Sequence, residues 1–157
     1  MPASRYRNSW AEVPENFPDG DSRARRNVLI AYDDVPAGQY ALRTLGNADR
    51  QFEEFDKRYP SLWQFDLLED PDWRALATAE ALQADLLVIS ASGRSDLPGG
   101  LKTWLGTCLE QKKGTPTAVV ALLGLGEHSD PPDSPRIQFL KSAAAAAGLE
   151  FLAPGVD

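Results

Sequence analysis

The sequence has few of the side chains that bind metals or form disulfides, with one cysteine, Cys108, and one histidine, His128. A single cysteine cannot form a disulfide within the chain. Cys108 lies among the apolar positions of a predicted helix, where it serves as a small hydrophobic residue. No cysteine and histidine spacing matches a metal motif, and no glycine pattern matches a Walker A loop, a GxGxxG fingerprint or a nucleophile elbow. These absences remove the most recognisable enzyme classes.

Long apolar runs and an excess of positive charge are also missing. No stretch approaches the roughly 18 apolar residues of a membrane helix, and the first residues carry no apolar signal core. The net charge is −7, whereas nucleic-acid binding requires concentrated positive charge. We therefore expect a cytoplasmic protein that binds neither nucleic acid nor membranes.

The pattern of the chain changes near Asn27. Residues 1–26 are mostly polar, contain three prolines and show no periodicity. They predict a leader that is either a mobile tail or a strap held on the surface by Trp10, Val13 and Phe17. Residues 27–157 alternate between short apolar runs and amphipathic stretches, which predicts a single folded domain.

Five short apolar runs predict strands, and four longer stretches between them predict helices. The predicted strands are 28–32, 61–66, 86–90, 116–123 and 149–152. The predicted helices are 37–56, 72–83, 97–112 and 135–147. This alternation with short loops predicts a three-layer α/β sandwich with a five-stranded parallel sheet. Its size and strand count fit the flavodoxin-like (Rossmann-like) strand order 2-1-3-4-5, with the second strand at an edge.

Ligands of such sheets bind at the carboxyl ends of strands, where the strand order reverses. In this chain that switch point lies between the first and third strands, so loops 33–38 and 90–98 are predicted to be neighbours. The candidate ligand-binding residues are Asp33, Asp34, Ser90, Ser92, Gly93 and Arg94, joined by Glu127 and His128 from the next loop.

The adjacent carboxylates Asp33 and Asp34 have two interpretations. Two carboxylates at a strand end suit a hard divalent cation such as Mg²⁺. Alternatively, one of them caps the following helix and pairs with Arg94. His128 is likewise either a catalytic group or a solvated loop residue.

The second half of the chain resembles flavodoxins and related FMN reductases. The resemblance covers 97–105 (LPGGLKTWL), 114–120 (GTPTAVV) and 148–155 (GLEFLAPG), and it implies the flavodoxin-like fold with FMN as cofactor. The family's phosphate loop after the first strand is rich in Ser, Thr and Gly, but this chain has DDVPAG at 33–38. Because these two carboxylates repel a phosphate, we expect FMN not to bind.

The first strand and its acidic end, 28–36 (VLIAYDDVP), resemble the metal-binding start of response-regulator receiver domains. The family's phosphoacceptor aspartate falls at Ser90 in this chain. Its hydroxyl-bearing residue falls near Ala121, and its lysine near Ala153 or Pro154. The resemblance therefore implies a pseudo-receiver that does not accept a phosphoryl group.

A third resemblance, to universal stress proteins, covers 84–97 (ADLLVISASGRSDL) together with Gly106 and Thr107. It implies ATP binding. The nucleotide motif of that family has a glycine where Ser90 stands, and this chain has a longer spacing to its Gly-Thr pair.

The residues together favour a non-catalytic, regulatory module that acts through protein contacts, with another protein or further copies of itself as partner. We expect no cofactor. The alternative hypothesis is a redox or ligand-binding protein that holds a flavin, a nucleotide or another small molecule between the switch-point loops.

Overall fold

The structure, a computed structural model, describes residues 27–49, 60–124 and 129–154. The predicted leader at 1–26 lies outside these ranges. The elements in chain order are β1 (Val28–Tyr32), α1 (Val35–Asp49), β2 (Ser61–Gln64), a 3₁₀ helix (Phe65–Glu69), α2 (Pro71–Ala81), β3 (Leu86–Ala91), α3 (Gly99–Gln111), β4 (Ala118–Leu123), α4 (Pro135–Ala146) and β5 (Glu150–Leu152).

All five strands lie in one parallel sheet with the order β2-β1-β3-β4-β5, which confirms the predicted fold class. Every residue of β3 and β4 is buried. Their side chains are apolar except for Ser90, as expected for central strands covered on both faces. β2 is an edge strand, also as predicted.

Alternate residues along the strands point into two separate apolar clusters. Leu87, Ile89 and Val119 pack with residues of α2, α3 and α4 on one face. Val88 and Val120 belong to the second cluster, on the face that α1 covers. The sheet is thus the middle of three layers.

The predicted start of the first helix is wrong by two residues, because α1 begins at Val35 rather than at residue 37. The Asp34 carboxylate accepts a hydrogen bond from the backbone N–H of Ala37 at 3.0 Å, so Asp34 is the N-cap residue. Pro36 then occupies the first turn, where a missing N–H costs nothing. Residues 50–56 of the predicted helix lie outside the described residues.

The second strand is also shorter than predicted, ending at Gln64 instead of Asp66. Phe65 and Leu68 are three residues apart and both buried in the 3₁₀ helix that follows, where residues at that spacing share a face. Asp70 then caps α2 by accepting the N–H of Asp72 at 2.8 Å. The remaining boundaries fall within two residues of their predicted positions.

Gly100 lets α3 approach the 3₁₀ helix closely. Its N–H donates to Glu69 Oε2 at 3.1 Å, and a Cβ at this position would lie 2.7 Å from the Leu68 carbonyl oxygen and the Glu69 carboxyl carbon. We expect Gly100→Ala to lower the free energy of unfolding by about 1–3 kcal/mol, measured by urea denaturation. In the same helix a Cβ at Gly106 meets nothing within 4 Å, so Gly106→Ala should stabilise by about 0.5–1 kcal/mol. Equal stability of both variants would contradict the packing argument.

Candidate functional site at the switch point

The carboxyl ends of β1 and β3 are adjacent, as the strand order predicts. Tyr32, the last residue of β1, lies opposite Ser90 in the parallel register. The N–H of Asp33 then donates to the Ser90 carbonyl at 3.2 Å, which extends the pairing by one step. Asp33 and Asp34 therefore follow β1 directly beside the loop that begins at Ser92.

The Asp33 carboxylate binds the backbone of that loop. It accepts the N–H of Ser92 at 3.1 and 3.2 Å and the N–H of Gly93 at 3.2 Å. Successive backbone N–H groups of this kind form a small anion-binding concavity. The anion held here is a side chain of the protein itself.

Asp34 uses its two carboxylate oxygens on different partners. Oδ1 caps α1 through Ala37, and Oδ2 accepts the hydroxyl of Ser92 at 2.5 Å. The pKa of Asp34 lies below its usual value, chiefly because the Ser92 hydroxyl stabilises the ionised form. Burial opposes this effect, while the N–H of Ala37 adds to it. Asp34 thus joins the start of α1 to the loop after β3.

Ser90 is fully buried, and its hydroxyl donates to the carbonyl of Ala37 at 2.8 Å. The N–H of the same Ala37 donates to Asp34, so one backbone group of this residue is bound by the sheet and the other by the loop after β1. We call Asp33, Asp34, Ser90 and Ser92, with the backbone of Ala37, the switch-point network. The network holds together the loops that were predicted to receive a ligand.

Arg94 is exposed and makes none of the ion pairs found among the described residues. The second interpretation of the acidic pair had one carboxylate cap the helix and pair with Arg94. The structure shows the cap, made by Asp34 on α1. It shows no ion pair with Arg94 among the described residues. Glu127 and His128 lie outside the described residues, so their place in the site stays a prediction. Within residues 27–49, 60–124 and 129–154, no group of three or more His, Cys, Asp or Glu side chains is arranged to hold a metal ion.

No protein family model matches the chain, and no curated protein is significantly similar to it. The parallel sheet and its strand order are compatible with a flavodoxin-like fold. None of the helices in the described ranges has the length and apolar character needed to cross a membrane.

A buried ion pair at the same edge of the sheet was not predicted from the sequence. Arg136 binds the Asp130 carboxylate through Nε at 2.9 Å and Nη2 at 2.7 Å, with the two side chains 6% and 9% exposed. Ser134 donates its hydroxyl to the same carboxylate at 2.9 Å, and Arg136 Nη1 donates to the Ser95 carbonyl at 3.1 Å. The pair therefore fixes the start of α4 to the loop that follows β3.

The ion pair also governs the protonation of its acid. The Arg136 hydrogen bonds hold the pKa of Asp130 below its usual value, and burial opposes them. Ser134 and the positive charges of Arg136 and Arg94 lower this pKa further. Arg94 thus contributes to the electrostatics of Asp130.

Cys108 is buried among the apolar residues of α3, and burial raises the pKa of its thiol to about 11. Because the thiolate is the reactive form, we expect a thiol reagent at neutral pH to modify Cys108 only when the protein unfolds. The absorbance of the chromophore that the reagent releases measures the rate of Cys108 modification in native buffer and in denaturant. Rapid modification of the folded protein would contradict the apolar role of this residue.

Proposed function

We propose that this protein is a non-catalytic, regulatory module that acts by binding another protein. The observation that carries the proposal is that the polar side chains of the predicted site bond to one another within the switch-point network. All four carboxylate oxygens of Asp33 and Asp34 already accept hydrogen bonds from the protein itself, whereas a general base or a metal ligand directs an oxygen at its substrate or ion. In this network the same groups hold two loops and a helix together.

The network supports the pseudo-receiver interpretation over a ligand-binding one. Ser90 stands where a receiver has its phosphoacceptor, and its hydroxyl is buried and donated to a backbone carbonyl. The N–H groups of Ser92 and Gly93 are suited to a phosphate, but Asp33 accepts both of them. FMN or a nucleotide would have to displace a carboxylate that is covalently part of the site.

An exposed apolar surface on the 3₁₀ helix and α2 is the proposed binding surface. Leu67, Trp73 and Leu76 are 37%, 44% and 55% exposed, and we call them the apolar patch. Trp73 packs edge-on against Trp63 at 6.0 Å between ring centroids, and the Trp63 indole donates to Glu80 at 2.7 Å. An exposed large aromatic side chain that packs against a second, hydrogen-bonded aromatic residue is typical of the side chains that contribute most to binding at protein interfaces.

Carboxylates surround this patch in the sequence and remain exposed. They are Asp66, Glu69, Asp70 and Asp72. Arg74 is the one basic residue between positions 66 and 76 of the sequence, and it donates to the Leu68 carbonyl at 3.2 Å. A second copy would bring the same negative charges together, which disfavours self-association through this surface. The proposed occupant is a segment of a partner protein in which apolar side chains are flanked by lysine or arginine.

Selection from a random peptide library, with the full chain as target, tests this proposal. We expect the selected peptides to combine apolar residues with Lys or Arg, and to bind the double variant Trp73→Ser, Leu76→Ser about tenfold more weakly or worse. The matched control is Leu42→Ser, which removes an exposed leucine from α1 on the opposite face. Peptides that are acidic, or that bind wild type and double variant equally, would overturn the assignment of the surface.

A further inference from the structure

One flank of α2 carries an acidic residue together with part of the apolar patch. Trp73, Leu76 and Glu80 are all exposed and follow one another at intervals of three and four residues, so they share one side of the helix. Trp63, from the edge strand β2, contacts this flank twice. Its ring meets the ring of Trp73 at 6.0 Å between centroids, and its indole N–H donates to Glu80 Oε1 at 2.7 Å. The Glu80 carboxylate therefore lies beside the patch, one indole ring away from Trp73.

The fold holds the Glu80 carboxylate in place but uses only one of its oxygens. Trp63 is 7% exposed, and a buried indole N–H requires an acceptor. Oε1 of Glu80 is that acceptor, whereas Oε2 takes part in none of the hydrogen bonds found between described residues. A neutral amide oxygen could also accept the indole N–H, so this contact does not by itself account for the negative charge of Glu80.

The charge of Glu80 has no partner of opposite sign within the described parts of the chain, since none of the ion pairs found there includes it. Arg74, on the same helix, donates to the Leu68 carbonyl instead. An exposed carboxylate held beside an aromatic ring attracts a cation from a binding partner. Arginine suits both groups, because its planar guanidinium stacks on aromatic rings and donates to carboxylates.

We propose that Glu80 is a specificity-determining residue of the apolar patch, where its Oε2 pairs with an arginine or lysine of the bound partner segment. This inference rests on the proposed function and adds the position of the charge. Trp73 and Leu76 contact an apolar side chain of the segment. Because Trp63 already fixes the Glu80 carboxylate, little side-chain freedom is lost when the ion pair forms.

The helix geometry also predicts the spacing within the partner segment. Glu80 lies four residues beyond Leu76, which is about 6 Å along the helix axis. Two residues of an extended segment cover about the same distance, and their side chains point to the same face. In an extended segment, the basic residue is therefore expected two positions from the apolar residue that contacts Leu76.

Binding of a peptide to the full chain, measured by fluorescence anisotropy, tests the inference. The probe is a labelled peptide from the selection described above, compared with copies in which its basic residues are replaced by glutamine one at a time. We expect Glu80→Gln to weaken binding of the original peptide about three- to tenfold, and to leave binding of one glutamine copy unchanged. The loss should shrink when the ionic strength rises from about 0.05 to about 0.5 M.

The substitution by glutamine keeps an oxygen that can accept the Trp63 indole N–H, so a purely structural role of Glu80 predicts no dependence on the charge of the peptide. The matched control is Glu150→Gln, which makes the same change of charge at an exposed position of β5, on the opposite edge of the sheet. This control should bind every peptide as wild type does.

Failure of this inference is distinguishable from failure of the proposed function. If the double variant Trp73→Ser, Leu76→Ser binds the original peptide as tightly as wild type, the binding surface is wrong and the role of Glu80 falls with it. If that variant loses binding but Glu80→Gln does not, the surface stands and the role of Glu80 is overturned. Equal weakening of all peptides by Glu80→Gln would also overturn it, because the residue would then act through the packing of Trp63.

Discussion

Replacing Asp130 by alanine is expected to lower the free energy of unfolding by about 3–5 kcal/mol, because it leaves the buried Arg136 guanidinium without its partner. The pair has two short hydrogen bonds, and both side chains are less than a tenth exposed. Among the described residues, the other acceptor bonded to this guanidinium is the Ser95 carbonyl, 3.1 Å from Nη1. Urea denaturation measures the loss.

The matched control is Asp96→Ala. Asp96 pairs with Lys102 at the similar distance of 2.9 Å, but its side chain is 68% exposed. Exposed pairs contribute between 0 and about 1 kcal/mol. The double variant Asp130→Leu, Arg136→Met removes both charges and should recover most of the stability lost in Asp130→Ala. Similar losses of unfolding free energy for Asp130→Ala and Asp96→Ala would show that burial does not increase the contribution of the Asp130–Arg136 pair to stability.

The same pair predicts the direction of the pH dependence. The folded-state pKa of Asp130 is lowered, so its contribution is fully present above the unfolded value of about 3.9 and is lost as the pH falls through the lower folded value. Asp34 has a pKa shifted in the same direction. We expect the stability of Asp130→Asn to fall less steeply below about pH 4 than that of wild type. Equal slopes would contradict the assignment.

The double variant Asp33→Ala, Asp34→Ala is expected to lower the free energy of unfolding by about 2–4 kcal/mol in total. It removes the cap of α1, worth about 1 kcal/mol, and the charged acceptor of the Ser92 and Gly93 amides, worth about 1.5–3 kcal/mol. Because both carboxylates bind Ser92, the losses of unfolding free energy in the two single variants should not sum to the loss in the double variant.

A double-mutant cycle measures this coupling by equilibrium unfolding. Asp133→Ala is the control, since this residue is exposed in the turn before α4, and its loss should stay within about 0.5 kcal/mol. A double variant as stable as the control would show that the two aspartates are not structural.

The fold was predictable because its signals are local and periodic. The unbroken apolar run from Leu86 to Ile89, too short for a helix and followed by small polar residues, favoured a strand buried on both faces. The approach of Asp33 to Ser92 followed from strand order alone, since that order places the two loops together. Sequence could not show which donors the Asp33 carboxylate uses, because Ser92 and Gly93 bind it through backbone N–H groups, which every residue except proline carries.

The parts that were missed depend on how short segments pack against the rest of the fold, which no local pattern shows. Phe65 continues the pattern of β2, yet it turns into a 3₁₀ helix because Leu68 also packs in the core. Arg136 and Asp130 are six residues apart across three prolines, a spacing that belongs to no helix or strand pattern. The Ser134-Pro135 helix start was visible in the sequence, but the burial that makes the ion pair important arises only from packing.

The most direct test of a switch point closed by its own carboxylates is an NMR titration of the ¹⁵N-labelled full chain with FMN, following the amide signals of Ser92 and Gly93. We expect both signals to stay unchanged up to millimolar FMN, since Asp33 already accepts both N–H groups. The variant Asp33→Ser, Asp34→Thr keeps residues that can cap α1 and frees these amides, so its signals should move. Saturable shifts of Ser92 and Gly93 in wild type at micromolar FMN would contradict the account.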